Sequence, residues 1–514
     1  MIQKKLIIAG ALIASFAHIE NTRGSIMSKI SLQGVVLAAG KSTRFKTEKS
    51  KLVTKICGQE MILYCTKLLE SLEIPTTLVV GYQREQVEQV VKYAHGDTVN
   101  FALQAPQKGT GHAVQCSKEF WHKDHVLILN GDGPLVTRDI IENLAKVHQE
   151  SDAAISFVTA HNPDPSVVGY GRVITTGNSV KIVEQKHFTG DPQEHCCLNA
   201  GIYIVRTDFL REVIDTIPEN EVTHEWYLTD LVHLACAQGR IVKTVDAPFD
   251  RIRGVNTLKE LWTLEQIIRY DVISEHMANG VRFSAPQTMH IDLDVQIGAG
   301  TVIGCSVHLL NGTRIGKNCR IESGSTLKDA HIGDTVTIFQ NSIVDNSDIE
   351  SGALIGPFAH IRKESKIAQN AQIGNFVEVS KSTIGQGSKA KHLAYLGNAI
   401  IGSNVNIGAG TITCNYDGTH KHVTTIEDGA FIGSNNTLIA PVTVHKGAYT
   451  AAGSVITNDV PAGALAIARE RQTNKENYVE QLINRDLKNE SDETPEKPTA
   501  FMGAFKDTNH HHFQ

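Results

Sequence analysis

Two glycine-rich loops, a lysine and an aspartate follow one another in an order that suits phosphate chemistry. Leu37-Ala38-Ala39-Gly40-Lys41-Ser42-Thr43-Arg44 comes directly after a buried apolar run. Small residues there let backbone N–H groups close on phosphate oxygens, although a tight structural turn uses the same residues. Lys51 lies eleven residues beyond Gly40. Gln104-Ala105-Pro106-Gln107-Lys108-Gly109-Thr110-Gly111-His112 is a second small-residue turn from strand to helix. Asn130-Gly131-Asp132-Gly133-Pro134 then ends an apolar run with a carboxylate. A lone aspartate at a strand end ordinarily caps or closes a turn. With two such loops ahead of it, Asp132 is a candidate magnesium ligand.

A second set of residues suits proton transfer. His392 sits in Lys389-Ala390-Lys391-His392-Leu393-Ala394-Tyr395-Leu396-Gly397, with Asn406 and then Cys414-Asn415-Tyr416-Asp417-Gly418 beyond it. One histidine alone reads as a turn residue. Grouped in sequence with Tyr395, Asn406, Asn415 and Tyr416, it is a candidate general base, for which an imidazole with a pKa of about 6.5 is suited near neutral pH.

These residues require two kinds of scaffold. Residues 34–255 alternate apolar strands with helical patterns. Strands are expected at 34–39, 77–80 and 126–129, and helices at about 59–72 and 84–93. Such alternation predicts an α/β domain with a mostly parallel sheet, whose ligands bind at the carboxyl ends of the strands. Gly40, Gln104 and Asp132 belong there. A connecting helix is expected over 258–277, with Leu261, Leu264, Ile267, Ile268 and Val272 on one side.

Farther along, aliphatic residues recur every six positions at Ile349, Ile355, Ile361, Ile367, Ile373 and Val379. The same beat runs through Ile315, Ile321 and Leu327, and through Ile426, Ile432, Leu438, Val444 and Ile456. Neither a helix nor a single strand has that period. A β-helix does, with three hexads in a coil of about 18 residues that rises by ~4.8 Å. The beat spans about 281–461, and 389–399 and 414–425 interrupt it; a solenoid carries insertions as loops on its binding face.

The totals are ordinary for a soluble chain of 514 residues: 41% hydrophobic, 49 Lys+Arg against 55 Asp+Glu, net charge −6. Nothing there suggests nucleic-acid or membrane binding. Nine scattered cysteines without a C-x-x-C spacing read as reduced thiols. Lys4 and Lys5 precede an apolar run at 6–17 that is built like a signal peptide. The alternative is a start assigned too early, with Met27 as the true first residue. Past Glu476 the chain turns polar and ends in His510-His511-His512, as a solvated tail does.

The first loop, Lys51, Gln104 to Thr110 and Asn130-Gly131-Asp132 resemble the sugar-nucleotide pyrophosphorylases. Gly169-Tyr170-Gly171-Arg172, Ile182-Val183-Glu184, Leu198-Asn199-Ala200-Gly201 and Gly254-Val255-Asn256 follow in that family's order. With the hexads behind them, residues of about 32–478 resemble the bifunctional N-acetylglucosamine-1-phosphate uridylyltransferases and glucosamine-1-phosphate acetyltransferases, the GlmU type. The resemblance implies a Rossmann-like nucleotidyltransferase domain followed by a left-handed parallel β-helix. The expected divisions are an extension at 1–26, a uridylyltransferase domain at 27–255, a linker helix at 256–280, the β-helix at 281–478 and a disordered tail at 479–514.

It also implies roles. Leu37, Ala38, Ala39, Gly40, Lys51, Gln104, Gly109 and Thr110 would hold UTP, with Arg44 and Lys51 neutralising its phosphates. Gly171, Glu184, Asn199 and Asn256 would hold N-acetylglucosamine 1-phosphate, and Asp132 and Asn256 would hold Mg2+. His392 would be the base for acetyl transfer from acetyl-CoA, with Glu378 as its orienter. Arg362, Tyr395 and Asn406 would hold glucosamine 1-phosphate. Ala409, Asn415, Tyr416, Ser434, Ala452 and Arg469 would hold acetyl-CoA, and Lys421 would come from a neighbouring subunit of a homotrimer. A cytosolic location follows from the nucleotide substrate, which favours Met27 as the start.

Four positions depart from the family pattern. Ser42 replaces a usual Gly, Ser50 a Pro, Asn130 a Tyr, and Ser380 a phosphate-binding Lys, with Lys381 next to it. Adjacent residues of a strand face opposite ways, so Lys381 is no automatic substitute. Retained activity with altered substrate binding is expected. Two other readings remain at this stage: a single-function nucleotidyltransferase with a structural β-helix, and a non-catalytic assembly protein on the same folds. The loops around His392 and Asn415 argue against the first, and Lys51, Asp132 and Asn256 together argue against the second.

Overall fold

The computed structural model describes residues 30–492 except 42, 47, 165, 166 and 178. The extension at 1–26, Ser42 and the terminal histidines lie outside the described residues.

The first domain is built on a nine-stranded sheet. Its central strand, Leu32–Ala38, runs parallel to Thr76–Val80 on one side and His125–Asn130 on the other, and Val99–Leu103 extends the parallel half. Alternate residues serve opposite faces of the sheet. Val36, Leu78, Leu127 and Leu129 join one apolar core, whereas Val35, Val79, Val126 and Ile128 join the other. Beyond His125–Asn130 the sheet is mixed. Cys197–Arg206 is antiparallel to its three partners, His125–Asn130, Ile155–His161 and Arg172–Thr176, and Val242–Asp246 closes that edge parallel to Ile155–His161. The parallel strands deliver Ala39–Gly40, Gln104 and Asn130–Asp132 to their common carboxyl edge.

The connecting helix, Leu258–Ala278, starts at a capping box in which Thr257 and Glu260 satisfy each other's backbone N–H. Leu264, Ile268, Val272 and Ile273 are buried, while Trp262 and Tyr270 face solvent. A hairpin of Lys55–Ile56 and Gln59–Glu60 meets the second domain, where the Cys57 carbonyl accepts from the Leu293 N–H at 3.0 Å.

The second domain is a left-handed parallel β-helix. Its strands form ladders of eleven and seventeen members. The six hexad positions from Ile349 to Val379 are at most 2% exposed, as an inward row requires. Coil length varies: His360 pairs with Glu378, 18 residues on, but Glu378 pairs with Tyr395, 17 residues on. Two expectations change here and one holds in part. Residues 389–399 are not an inserted loop. Lys389–His392 and Tyr395–Gly397 are in-register strands joined at a corner where Leu393 has φ +43°. Within 414–425 only residues 415–423 leave the coil, as an arm in which Tyr416 bridges Lys421; Cys414, Thr424 and Thr425 pair in register with neighbouring coils. The expected tail begins as a helix, Tyr478–Asp492, not as disordered chain. Val479, Ile483 and Leu487 recur there at helical spacing and are exposed.

Candidate functional sites

At the first site, cations and oxygens from three segments converge. Lys51 Nζ lies 2.7 Å from Asp132 Oδ2, donates to the Val255 carbonyl at 2.7 Å and reaches Asn256 Oδ1 at 3.4 Å. Arg44 Nη2 donates to the same Asn256 oxygen at 2.9 Å. Glu260, the helix-capping carboxylate, holds the Asn256 backbone N–H at 2.8 Å. Lys51 is buried and Arg44 exposed, so one cation is fixed and the other faces the opening. Asp132 and Asn256 thus present two hard oxygens to a single cation. Among the described residues there is no group of three or more His, Cys, Asp or Glu placed to hold a metal.

The turn carrying Lys51 is tethered from behind. Ser50 has φ −57°, a value proline would also hold, but its N–H donates to Gln86 Oε1 at 3.1 Å, a bond proline cannot make. The Ser50 departure therefore exchanges a ring for a hydrogen bond. Asn130 packs its amide on Gly201.

On the nucleotide side, the Ala39 carbonyl accepts from Gln107 Nε2 at 2.6 Å, and buried Gln104 donates to the Gly109 carbonyl at 2.9 Å. Gly109 opens the helix Thr110–Cys116. On the sugar side, the Asn199 N–H donates to the Gly171 carbonyl at 2.9 Å, which joins two expected sugar residues. Glu184 instead accepts from Thr229 Oγ1 at 2.8 Å. Burial pushes its carboxyl above the usual range, partly offset by that hydroxyl. Beside Gly171, the Arg172 guanidinium is 1% exposed and donates to the His195 and Val167 carbonyls, each at 3.2 Å, while its Nε finds no partner among the described residues.

At the second site, His392 Nδ1 lies 3.0 Å from Asn375 Oδ1 on the preceding coil. Glu378, the expected orienter, is turned away from it: its Oε1 accepts from Arg362 Nε at 2.8 Å and from Arg362 Nη2. Tyr395 folds over Gly397, where a Cβ would stand 2.6 Å from the ring's Cζ. Coil-to-coil hydrogen bonds from Gly410 to Leu393, Asn435 to Ala409 and Gly453 to Ser434 stack the residues before each corner into one row. His392, Ala409, Ser434 and Ala452 form that row, and the Arg469 side chain ends it against Gly453.

One chain does not bring every expected residue of this site together. His392 and Asn406 belong to the eleven-stranded ladder, whereas Arg362 and Tyr395 belong to the other. Asn415 sits at a different corner, where its Nδ2 donates to Asn398 Oδ1 at 2.8 Å, and Tyr416 stands out on the arm. Sequence reasoning missed Asn375. The available signal was coil length, since Asn375 precedes His392 by 17 residues, the short-coil spacing.

Known proteins carry the same two parts. Residues 34–184 match the MobA-like NTP transferase domain. Residues 294–329 match the bacterial transferase hexapeptide, and 423–458 match the hexapeptide repeat of succinyl-transferase. The chain is 43% identical over 454 residues to "Bifunctional protein GlmU" of Geobacillus sp. (strain WCH70), covering 87% of this chain and 97% of that protein. The protein of the same name from Thermotoga petrophila (strain ATCC BAA-488 / DSM 13995 / JCM 10881 / RKU-1) is 41% identical, over 87% of this chain and 98% of its own. A nucleotidyltransferase fold whose strand ends gather Lys51, Asp132 and Asn256, continuous with a hexapeptide acyltransferase fold and matched along nearly the whole of those relatives, places this chain in the GlmU family of bifunctional enzymes.

Proposed function

We propose that the chain makes UDP-N-acetylglucosamine in two steps at separate sites. The observation that carries the first assignment is the convergence of Lys51 and Arg44 with Asp132 and Asn256 at the strand edge. A sugar phosphate and UTP repel each other, and two cations at their meeting point offset that repulsion. The N-acetylglucosamine 1-phosphate oxygen attacks the α-phosphorus of UTP in line, and pyrophosphate leaves. Arg44, at the opening, meets the incoming phosphates, and Lys51 holds them against the strand ends. Gly171, Glu184 and Asn199 orient the sugar, and Gln104, Gly109 and Thr110 hold the nucleotide. Asp132 and Asn256 fit Mg2+, which takes one or two protein oxygens and fills its other positions with water and phosphate. Bound there, the ion supplies further charge neutralisation at the phosphates.

The second assignment is acetyl transfer to glucosamine 1-phosphate. An ammonium cannot attack a thioester, so His392 takes a proton from the amine. The amine nitrogen then bonds to the acetyl carbon, and coenzyme A leaves as the thiol once protonated. With the Asn375 amide oxygen facing the ring, Nδ1 carries the proton and Nε2 keeps its lone pair. The row of small residues below His392 suits an extended acyl donor. Three coil steps of ~4.8 Å make it about 14 Å long, and Arg469 stands at its far end for a phosphate. Arg362, Tyr395 and Asn406 take the sugar phosphate.

The division of these residues between faces supports a homotrimer, with Asn415, Tyr416 and Lys421 of one copy completing the site of another. An exposed ridge, Phe358, Phe376 and Leu393, runs beside His392 where such a contact would form. Small molecules are the substrates, and the use of UTP and acetyl-CoA supports a cytosolic location. Among the described residues no helix is long and apolar enough to cross a membrane.

The test is a coupled assay with glucosamine 1-phosphate, acetyl-CoA, UTP and magnesium. UDP-N-acetylglucosamine should form, and omitting acetyl-CoA should abolish it unless N-acetylglucosamine 1-phosphate is supplied. Product from the acetylated sugar alone would leave the β-helix a structural role.

A further inference from the structure

Residues 226–229 touch both halves of the uridylyl site. On the nucleotide side, the Trp226 N–H donates to the Lys108 carbonyl and its own carbonyl accepts from the Gly111 N–H, both at 2.8 Å. The Leu228 N–H donates to Thr110 Oγ1 at 3.0 Å. The approach is close enough that only glycine fits at 109: φ is +93°, and a Cβ would stand 2.6 Å from the Trp226 carbonyl oxygen. His112 meets the indole edge-on at 5.2 Å between ring centroids, and Lys108 Nζ lies 5.6 Å from its centre.

On the sugar side, Thr229 Oγ1 donates to Glu184. Thr229 immediately precedes the helix Asp230–Ala237, where a threonine hydroxyl ordinarily caps a helical N–H. It makes no such cap here. A hydroxyl with a local use is instead committed to a carboxylate from a distant segment. Leu228 and Thr229 are both buried, so this short stretch is clamped at each end and packed in the middle.

We infer that Trp226–Thr229 is a strap that couples the nucleotide subsite to the sugar subsite, with Thr229 as the positioning residue for Glu184. Nucleotide bound against Gln104 to Thr110 steadies the strap, the strap holds Glu184, and the sugar phosphate then binds more tightly. Linkage makes the effect reciprocal. The inference rests on the uridylyl-transfer reading.

Equilibrium binding of N-acetylglucosamine 1-phosphate to the full chain tests it, with magnesium present and with or without a non-hydrolysable UTP analogue. In the parent protein the analogue should tighten sugar-phosphate binding by about fivefold or more, the lower range of measured couplings. Thr229→Val should abolish that gain, Thr229→Ser should keep it, and acetyl transfer should survive in both. A second readout is pH. Asp230, Tyr203 and Tyr227 face Glu184 as acidic groups, and Lys186 and His187 as basic ones. Loss of the hydroxyl should move the acid limb of sugar-phosphate binding to higher pH in Thr229→Val and not in Thr229→Ser. Undiminished coupling in Thr229→Val, or an unmoved acid limb, overturns the inference. A parent protein that binds both ligands without coupling overturns it as well. A parent protein that binds neither overturns the uridylyl reading and the inference with it.

Discussion

Arg362 and Glu378 are paired across adjacent coils, the guanidinium Nε 2.8 Å from Glu378 Oε1 and Nη2 on the same oxygen. The cation proposed for the sugar phosphate is therefore held in place by an internal anion. Both side chains are partly exposed, so the pair contributes little to stability but sets what an incoming phosphate must displace.

Arg362→Ala should raise the KM for glucosamine 1-phosphate by roughly tenfold or more, since it deletes a charge-assisted phosphate contact. Glu378→Gln should lower that KM by freeing the guanidinium. Steady-state acetyl transfer checks both, and an unchanged KM in Arg362→Ala removes it from the phosphate site. Uridylyl transfer should be unaffected in either variant.

His392→Ala should cut acetyl transfer by about 10²–10⁴-fold, the usual worth of a general base, and spare uridylyl transfer. Asn375→Ala should lower kcat less, because the base remains but its ring is no longer oriented. Asn375→Asp places a carboxylate beside the imidazole and should move the acid limb of the kcat/KM profile to higher pH. A profile identical to the parent's would mean that Asn375 does not set the state of the base.

Ser380 is buried between Arg362 and Gly397 on neighbouring coils. Lys381 follows it at a corner with φ +52°, its N–H donating to the Arg362 carbonyl at 3.3 Å. Strand alternation, which put positions 380 and 381 on opposite faces, does not hold through such a corner. Ser380→Lys should lower the KM for glucosamine 1-phosphate, and Lys381→Ala should raise it. No gain from Ser380→Lys would mean that nothing is missing at that position.

In the first domain, buried His148 lies 2.9 Å from Ser156 Oγ and 3.1 Å from His125 Nδ1. Burial, with His125 next in effect, pulls its pKa from 6.5 down to about 3. The folded state thus keeps His148 neutral while the unfolded chain takes up a proton below pH 6.5. Its contribution to stability is complete above that pH and is lost as pH falls toward 3, at up to about 1.4 kcal/mol per pH unit. Urea midpoints at pH 7 and 4.5 should differ less in His148→Gln than in the parent. An equal difference would remove His148 as a cause of acid sensitivity.

The β-helix was legible because one inward aliphatic per hexad is a strict steric demand, and Ile349 to Val379 meet it. Lys51, Asp132 and Asn256 were legible as types, but not their convergence, because Asn256 is fixed by Glu260 from a helix that starts beyond it. Asn375 was not legible, because only a coil of 17 residues, one short of the usual 18, sets it and not Gly374 opposite His392. The helix at Tyr478–Asp492 is masked in the sequence by its polarity, and only Val479, Ile483 and Leu487 carry its period.

The Glu260 carboxylate accepts from the N–H groups of both Asn256 and Thr257, each at 2.8 Å. It is at once the first anchor of the connecting helix and the last fastening of the proposed uridylyl site. The two catalytic modules therefore have no clean seam at residue 256. A severed N-terminal half that stops there would carry every side chain assigned to its chemistry and still lose its hold on Asn256. The boundary that respects function lies inside the helix, past Glu260, and any splice with a foreign β-helix would have to inherit that turn.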